Sequence, residues 1–163
     1  MAITDDNKLL LCNRTSHDVL VYNEMNQYIT SVKMSPRPWD ITVIPNKSTA
    51  VVTFGNKNIQ FIDVIKLSPG KEITVTTDNT NLTGITSTSD NIMVGGTAHI
   101  YILNIEGKKL SVIRCQSQHI SYIYYNETRK LFYCANSKIH MVFSKMGQKL
   151  LHSVSKTKSS IEA

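Results

Sequence analysis

The sequence predicts an all-β chain, a β-propeller represented by four four-stranded blades of a longer ring. Three observations carry that prediction. Alternating segments Val19-Leu20-Val21-Tyr22, Ile59-Gln60-Phe61-Ile62, Ile100-Tyr101-Ile102-Leu103 and Ile139-His140-Met141-Val142 recur, their starts 40, 41 and 39 residues apart. Apolar runs repeat in step before them, at Leu9-Leu10-Leu11-Cys12, Ala50-Val51-Val52-Thr53, Ile92-Met93-Val94-Gly95 and Leu131-Phe132-Tyr133-Cys134. No segment sustains a period of 3.6 residues, so almost no helix is expected. Short strands repeating at that spacing are the signature of propeller blades.

Each blade opens on an inner strand, with Ile3 in the first, Asp40-Ile41-Thr42-Val43-Ile44 in the second, Gly84-Ile85-Thr86-Ser87 in the third and Ser121-Tyr122-Ile123-Tyr124-Tyr125 in the fourth. Polar reversals such as Pro45-Asn46-Lys47 and Ser89-Asp90-Asn91 suit the first turn of a blade. The last turn of each blade is expected at Asn26-Gln27, Gly70-Lys71, Gly107-Lys108 and Gly147-Gln148, leading to outer strands at 28–34, 72–77, 110–115 and 150–155. Inner strands are expected to touch apolar neighbours on both faces. One partial propeller then fills 1–163, with blades at about 1–35, 36–78, 79–116 and 117–155. Residues 156–163 are read as loop and the start of a further blade, and open blade edges of this kind favour self-association.

Composition fits a folded module: 41% hydrophobic and 18% charged residues, without a low-complexity block. No apolar run reaches the roughly 20 residues that span a bilayer, and the first residues lack the pattern of a signal peptide, so a soluble, cytoplasmic chain without membrane partners is expected. Cys12, Cys115 and Cys134 lie in no CxxC or Cys-His cluster and are read as small strand residues. The Asn-X-Ser/Thr triplets at Asn13, Asn46, Asn81 and Asn126 are read as turn asparagines.

The order of inner strand, turn, apolar run and alternating strand, as in Pro38-Trp39-Asp40-Ile41-Thr42-Val43-Ile44, Val51-Val52-Thr53 and Asn58-Ile59-Gln60-Phe61-Ile62-Asp63, resembles NHL-type repeats. The whole chain looks like part of the six-bladed C-terminal propeller of invertebrate tripartite-motif proteins, especially the molluscan set. Arg37-Pro38-Trp39-Asp40-Ile41 and Asp90-Asn91-Ile92-Met93-Val94-Gly95-Gly96 carry most of the likeness. The resemblance implies a propeller that binds a protein substrate or RNA, attached to a RING, B-boxes and coiled coil that give ubiquitin-ligase activity and dimerisation. This sequence departs from that pattern in having no Cys/His zinc module, no heptad segment and about two blades fewer. Ligase activity therefore cannot reside in these residues.

Catalytic motifs are missing from the sequence: no GxSxG, HExxH, GxxxxGK[ST] or GxGxxG pattern occurs. His17, His99, His119, His140 and His152 lack metal-ligand spacing, and Asp40 and Asp63 are single carboxylates. No cofactor or metal is expected. A propeller enzyme whose site is built from distant loops is one alternative, and it would need polar residues such as His99, His119 or Asp40 to converge on the channel.

Charge is more informative. Residues 1–81 hold eight Lys/Arg and eight Asp/Glu, and residues 82–163 hold ten and four. Turns between second and third strands, and linkers between blades, emerge on one face. That loop face would carry Arg14, Arg37, Lys57, Lys138, Lys156 and Lys158 against Asp18 and Asp78. A one-sided basic surface attracts acidic protein segments or phosphate backbones. Trp39 beside Arg37 is read first as a wedge between blades and second as a binding anchor. The sequence thus predicts a non-catalytic module recognising a protein substrate through Arg14, Arg37, Trp39, Lys57, His99, His119 and Lys138, with single-stranded RNA as the alternative partner; an orphaned fragment without a function of its own is the blandest reading.

Overall fold

The computed structural model describes residues 1–77, 81–115 and 119–135 in full, and the backbone alone of 140–144 and 149–151. Among the described residues sixteen strands form four antiparallel four-stranded sheets, each in simple chain order. The first blade holds β1 (Ala2–Ile3), β2 (Leu9–Asn13), β3 (Asp18–Tyr22) and β4 (Tyr28–Lys33). The second holds β5 (Asp40–Val43), β6 (Thr49–Thr53), β7 (Asn58–Asp63) and β8 (Ser68–Thr74). The third holds β9 (Ile85–Ser87), β10 (Asn91–Gly95), β11 (His99–Asn104) and β12 (Lys109–Arg114), and the fourth β13 (Tyr122–Asn126), β14 (Leu131–Ala135), β15 (His140–Ser144) and β16 (Lys149–Leu151). Residues 156–163, read from sequence as the start of a further blade, lie outside the described residues.

The turns use left-handed backbone, mostly at asparagine and glycine. Asn7, Asn46 and Lys130 sit at φ of 61, 58 and 53° in first turns, and Asn26 and Gly107 at 59 and 90° in last turns. Asn13 Oδ1 accepts the amides of Thr15 and Ser16, and Asn126 Oδ1 accepts that of Arg129, so both asparagines build the turns they were expected to occupy.

The outer strand of the second blade differs from expectation. It begins at Ser68, and Gly70 and Lys71 lie within it, because the reversal is made earlier by residues 64–67, with Leu67 at φ 51°. Gly70 packs against the Phe61 carbonyl where the β7–β8 register shifts. The same irregularity recurs in every blade, between Val21 and Tyr22, between Gln60 and Ile62, between Ile102 and Leu103, and between Val142 and Phe143. In each case the extra residue belongs to the outer strand, a bulge that increases the local twist there.

The hydrophobic cores lie between blades. Leu10, Val19 and Val21 of the first blade meet Ile41, Val52 and Phe54 of the second. Val51, Ile59 and Phe61 of the second meet Ile85, Ile92 and Val94 of the third, and Met93, Ile100 and Ile113 of the third meet Ile123, Phe132 and Cys134 of the fourth. Polar ties cross the same junctions: Thr53 Oγ1 donates to the Thr83 carbonyl and Thr83 Oγ1 to that of Ile120. The inner strands are not apolar on both sides as expected. Ile3, Tyr122 and Tyr124 are 62, 66 and 59% exposed, because only alternate residues of an inner strand face the neighbouring core.

Candidate functional site

Two surfaces are positioned by this arrangement. The first is the concave side of the arc, where β1, β5, β9 and β13 wall an open groove of about 530 Å³. Its lining mixes hydroxyls with apolar surface: Thr42 and Thr86, Ile3, and the rings of Tyr122 and Tyr124. The alternation Tyr122-Ile123-Tyr124 explains the tyrosines. Ile123 is drawn into the core between the third and fourth blades, which turns both neighbours outward. Tyr125, on the inward side, packs against Phe132 with ring centroids 4.7 Å apart. Period-two reading of β13 is the signal that identifies these groove residues.

The groove wall is held rigidly. Asp40 Oδ2 accepts the amide of Ile85 at 3.2 Å, tying the second blade to the third, while its Oδ1 lies 3.5 Å from the amino group of Met1. Below it, Ser87 Oγ donates to the Val43 carbonyl at 2.8 Å and lies 3.0 Å from Thr42 Oγ1. Asp40, expected as a lone carboxylate, is thus a tie across a blade junction.

The second surface is the loop face. Here the structure corrects the pairing expected for Trp39. The guanidinium that stacks on the indole belongs to Arg14, its Cζ 3.9 Å from the ring centroid. Arg14 comes from the β2–β3 turn and Trp39 from the linker entering β5, so the stack bridges the first and second blades. Gly55 closes on the benzo ring, and the backbone amide of Trp39 donates to the Thr53 carbonyl at 2.6 Å. Trp39 is half-buried; Arg37 stands exposed two residues away.

The remaining residues nominated from sequence string out along the same face. Lys57 is exposed and donates to the Thr77 carbonyl at 3.4 Å, at the junction of the second and third blades. His99 opens β11, its Nδ1 2.9 Å from the Thr97 carbonyl oxygen and its ring 5.9 Å from that of Tyr101. His119 is half-buried in the linker to the fourth blade. Lys138, Lys156, Lys158 and Asp78 lie outside the described residues. Asp18, expected as a countercharge on this face, is buried at the start of β3, where it accepts hydrogen bonds from Ser16 and Lys33.

Among the described residues no three His, Cys, Asp or Glu side chains come together as a metal site would require, and no helix is long and apolar enough to cross a membrane. All three cysteines are free thiols. Burial pushes Cys12 up to about 12 and Cys115 to about 11, and raises Cys134 as well, so none presents a thiolate near neutrality.

No protein-family model and no curated protein matches the chain. Solved structures do match it. A structure of Kuenenia stuttgartiensis hydrazine synthase superposes with a TM-score of 0.77 over 94% of this chain, at 14% identity. The chain carries four blades of a β-propeller. It spans 48% of that matching chain, and at such identity the likeness shows the fold alone.

Proposed function

We propose that these four blades form a non-catalytic recognition module that holds an extended segment of a protein substrate in the concave groove and along its loop-face rim. The observation that carries this reading is the pair of exposed tyrosines, Tyr122 and Tyr124, standing on a rigid sheet beside an open groove of about 530 Å³. Tyrosine gives large contact area at low entropic cost and is favoured among residues that dominate binding. Exposed Arg37 and Lys57 add positive charge on the loop face, suited to an acidic flank of the same segment. RNA recognition is less well supported, since base stacking on Trp39 would compete with Arg14, which already covers one face of the indole. The sequence resemblance would make the module the substrate-binding end of a tripartite-motif, ubiquitin-ligase-like protein.

Selecting peptides against the chain from a displayed random library, then measuring their affinity by fluorescence anisotropy, tests this. Tyr122→Ala with Tyr124→Ala is expected to weaken a selected peptide about tenfold or more, with a shallow salt dependence. A pool of single-stranded RNA at low and near-physiological salt runs in parallel. RNA binding that falls steeply with salt and is lost in Arg37→Ala, together with no tyrosine-dependent peptide, would overturn the proposal in favour of nucleic acid.

A further inference from the structure

On the face opposite the loop face, the turns at 88–91 and 126–130 flank a cleft of about 160 Å³ between the third and fourth blades. Its base is apolar and aromatic, with Met93 and Phe132 almost fully buried and Ile102 and Tyr125 half-buried, and Thr88, Asn91 and Lys130 add polar lining. Two carboxylates, Asp90 and Glu127, complete the lining from the flanking turns, and both residues are exposed. Ligand pockets usually run to about 300–1,000 Å³, so this cleft has room for one side chain rather than for a whole small molecule.

The junction next to it shows what such a place accommodates. Between the second and third blades Lys71 lays its ammonium 4.5 Å from the centroid of Phe61 and donates to the Glu106 carbonyl at 2.9 Å. On the loop face Arg14 covers Trp39 in the same manner. At the junction of the third and fourth blades the aromatic rings are present, but among the described residues no cation of the chain lies over Tyr125 or Phe132. Among the described residues neither Asp90 nor Glu127 forms an ion pair there, and Lys130, which also lines the cleft, pairs with neither. The junction of the first and second blades differs: Asp5 accepts the amide of Asn46 beside a cleft of about 170 Å³ that holds no aromatic ring.

We propose that this cleft is a socket for one long cationic side chain, lysine or arginine, of a partner polypeptide. The methylene stem would lie against the half-buried Tyr125 and Ile102, and the charged head between Asp90 and Glu127, combining cation–π attraction with charge-assisted hydrogen bonds. Burial first, and the field of Glu127 second, raise the Tyr125 hydroxyl above its ordinary range. The chain as a whole carries a net charge of +6, so attraction here is local and short-ranged. The inference is independent of the groove, which lies on the concave side of the arc.

Amide NMR titration of the 163-residue chain tests it with three probes of one size: the N-acetyl methylamides of lysine, arginine and norleucine. The cationic probes are expected to shift amides at 88–91 and 125–132 at roughly millimolar concentration. Norleucine should leave those amides in place. Asp90→Asn with Glu127→Gln should weaken the response about tenfold, and Lys130→Ala should strengthen it about twofold by removing a like charge. Because all three residues are exposed, the variants are expected to keep the parent spectrum elsewhere. The tighter of the two cationic probes identifies the side chain. An equal response to norleucine, a response unchanged by the double variant, or no response to either cation would each overturn the proposal.

Discussion

At Trp39 the sequence and the structure separate two roles that a lone tryptophan can play. It caps a junction, under Arg14 and against Gly55, and the same stack shapes the loop-face rim. Because it is the only tryptophan, its fluorescence reports the stack directly. Arg14→Ala is expected to shift its emission to the red and raise its quenching by acrylamide, while Arg37→Ala leaves both unchanged; the reverse pattern would mean that Arg37 covers the ring. Asp18 offers a second residue-scale test. The hydrogen bond from Ser16 foremost, and Lys33 at 3.0 Å, hold its carboxyl below the ordinary value of 3.8 although burial works the other way. A carboxyl whose folded pKa is depressed stabilises the fold above its unfolded pKa, and that contribution disappears as pH falls through the folded value. Asp18→Asn should therefore cost about 1–2 kcal/mol in thermal or urea unfolding at neutral pH, with the difference from the parent narrowing below about pH 4. A constant difference across that range would assign the loss to packing instead.

Among the elements, the inner strands β9 and β13 approach so closely that Gly84 admits no side chain. A Cβ there would stand 2.9 Å from Tyr122 Cα and 3.0 Å from the Ile123 nitrogen, and backbone cannot step aside as a flexible side chain does. Gly84→Ala is expected to destabilise the chain by about 1–3 kcal/mol, measured by denaturant unfolding, and a neutral result would show that the two blades can separate freely. Gly107 is constrained in another way, with φ at +90° and a Cβ that would meet Ile73. The positive φ at Gly107 was expected of a turn glycine, but the contacts with Ile73 and with the Tyr122 backbone join residues far apart in the sequence and could not be read from it. Repeat spacing anticipated four four-stranded sheets because strand alternation is local, whereas the turn at 64–67 starts β8 four residues earlier than the glycine-lysine pair suggested. The candidate site was legible to the same degree. Loop-face charges follow from topology, but the Arg14–Trp39 partnership is a contact between blades and has no local signal. The exposed tyrosines were latent in the alternation around Ile123, which needed only the correct choice of inward face.

For the whole molecule, three separate cores between four blades imply that stability is distributed over nearest-neighbour junctions, as in other repeat architectures. The cysteines sample two of those junctions. Cys12 packs against the core between the first and second blades, and Cys115 and Cys134 lie buried in the core between the third and fourth. Burial raises all three thiols; Cys115 and Cys134 are buried, so a thiol reagent labels them only when their junction opens, and half-buried Cys12 gains exposure when its own junction opens. If the junctions open independently, Gly84→Ala should accelerate labelling of Cys115 and Cys134 together and leave Cys12 at its parent rate. Val52→Ala, in the core of the first junction, should do the opposite. A mass-spectrometric time course resolves the three sites in one experiment. Uniform acceleration by either variant would mean instead that the four blades open as one cooperative unit, and that the polar ties through Thr53, Thr83 and Asp40 transmit the loss of one junction to the next.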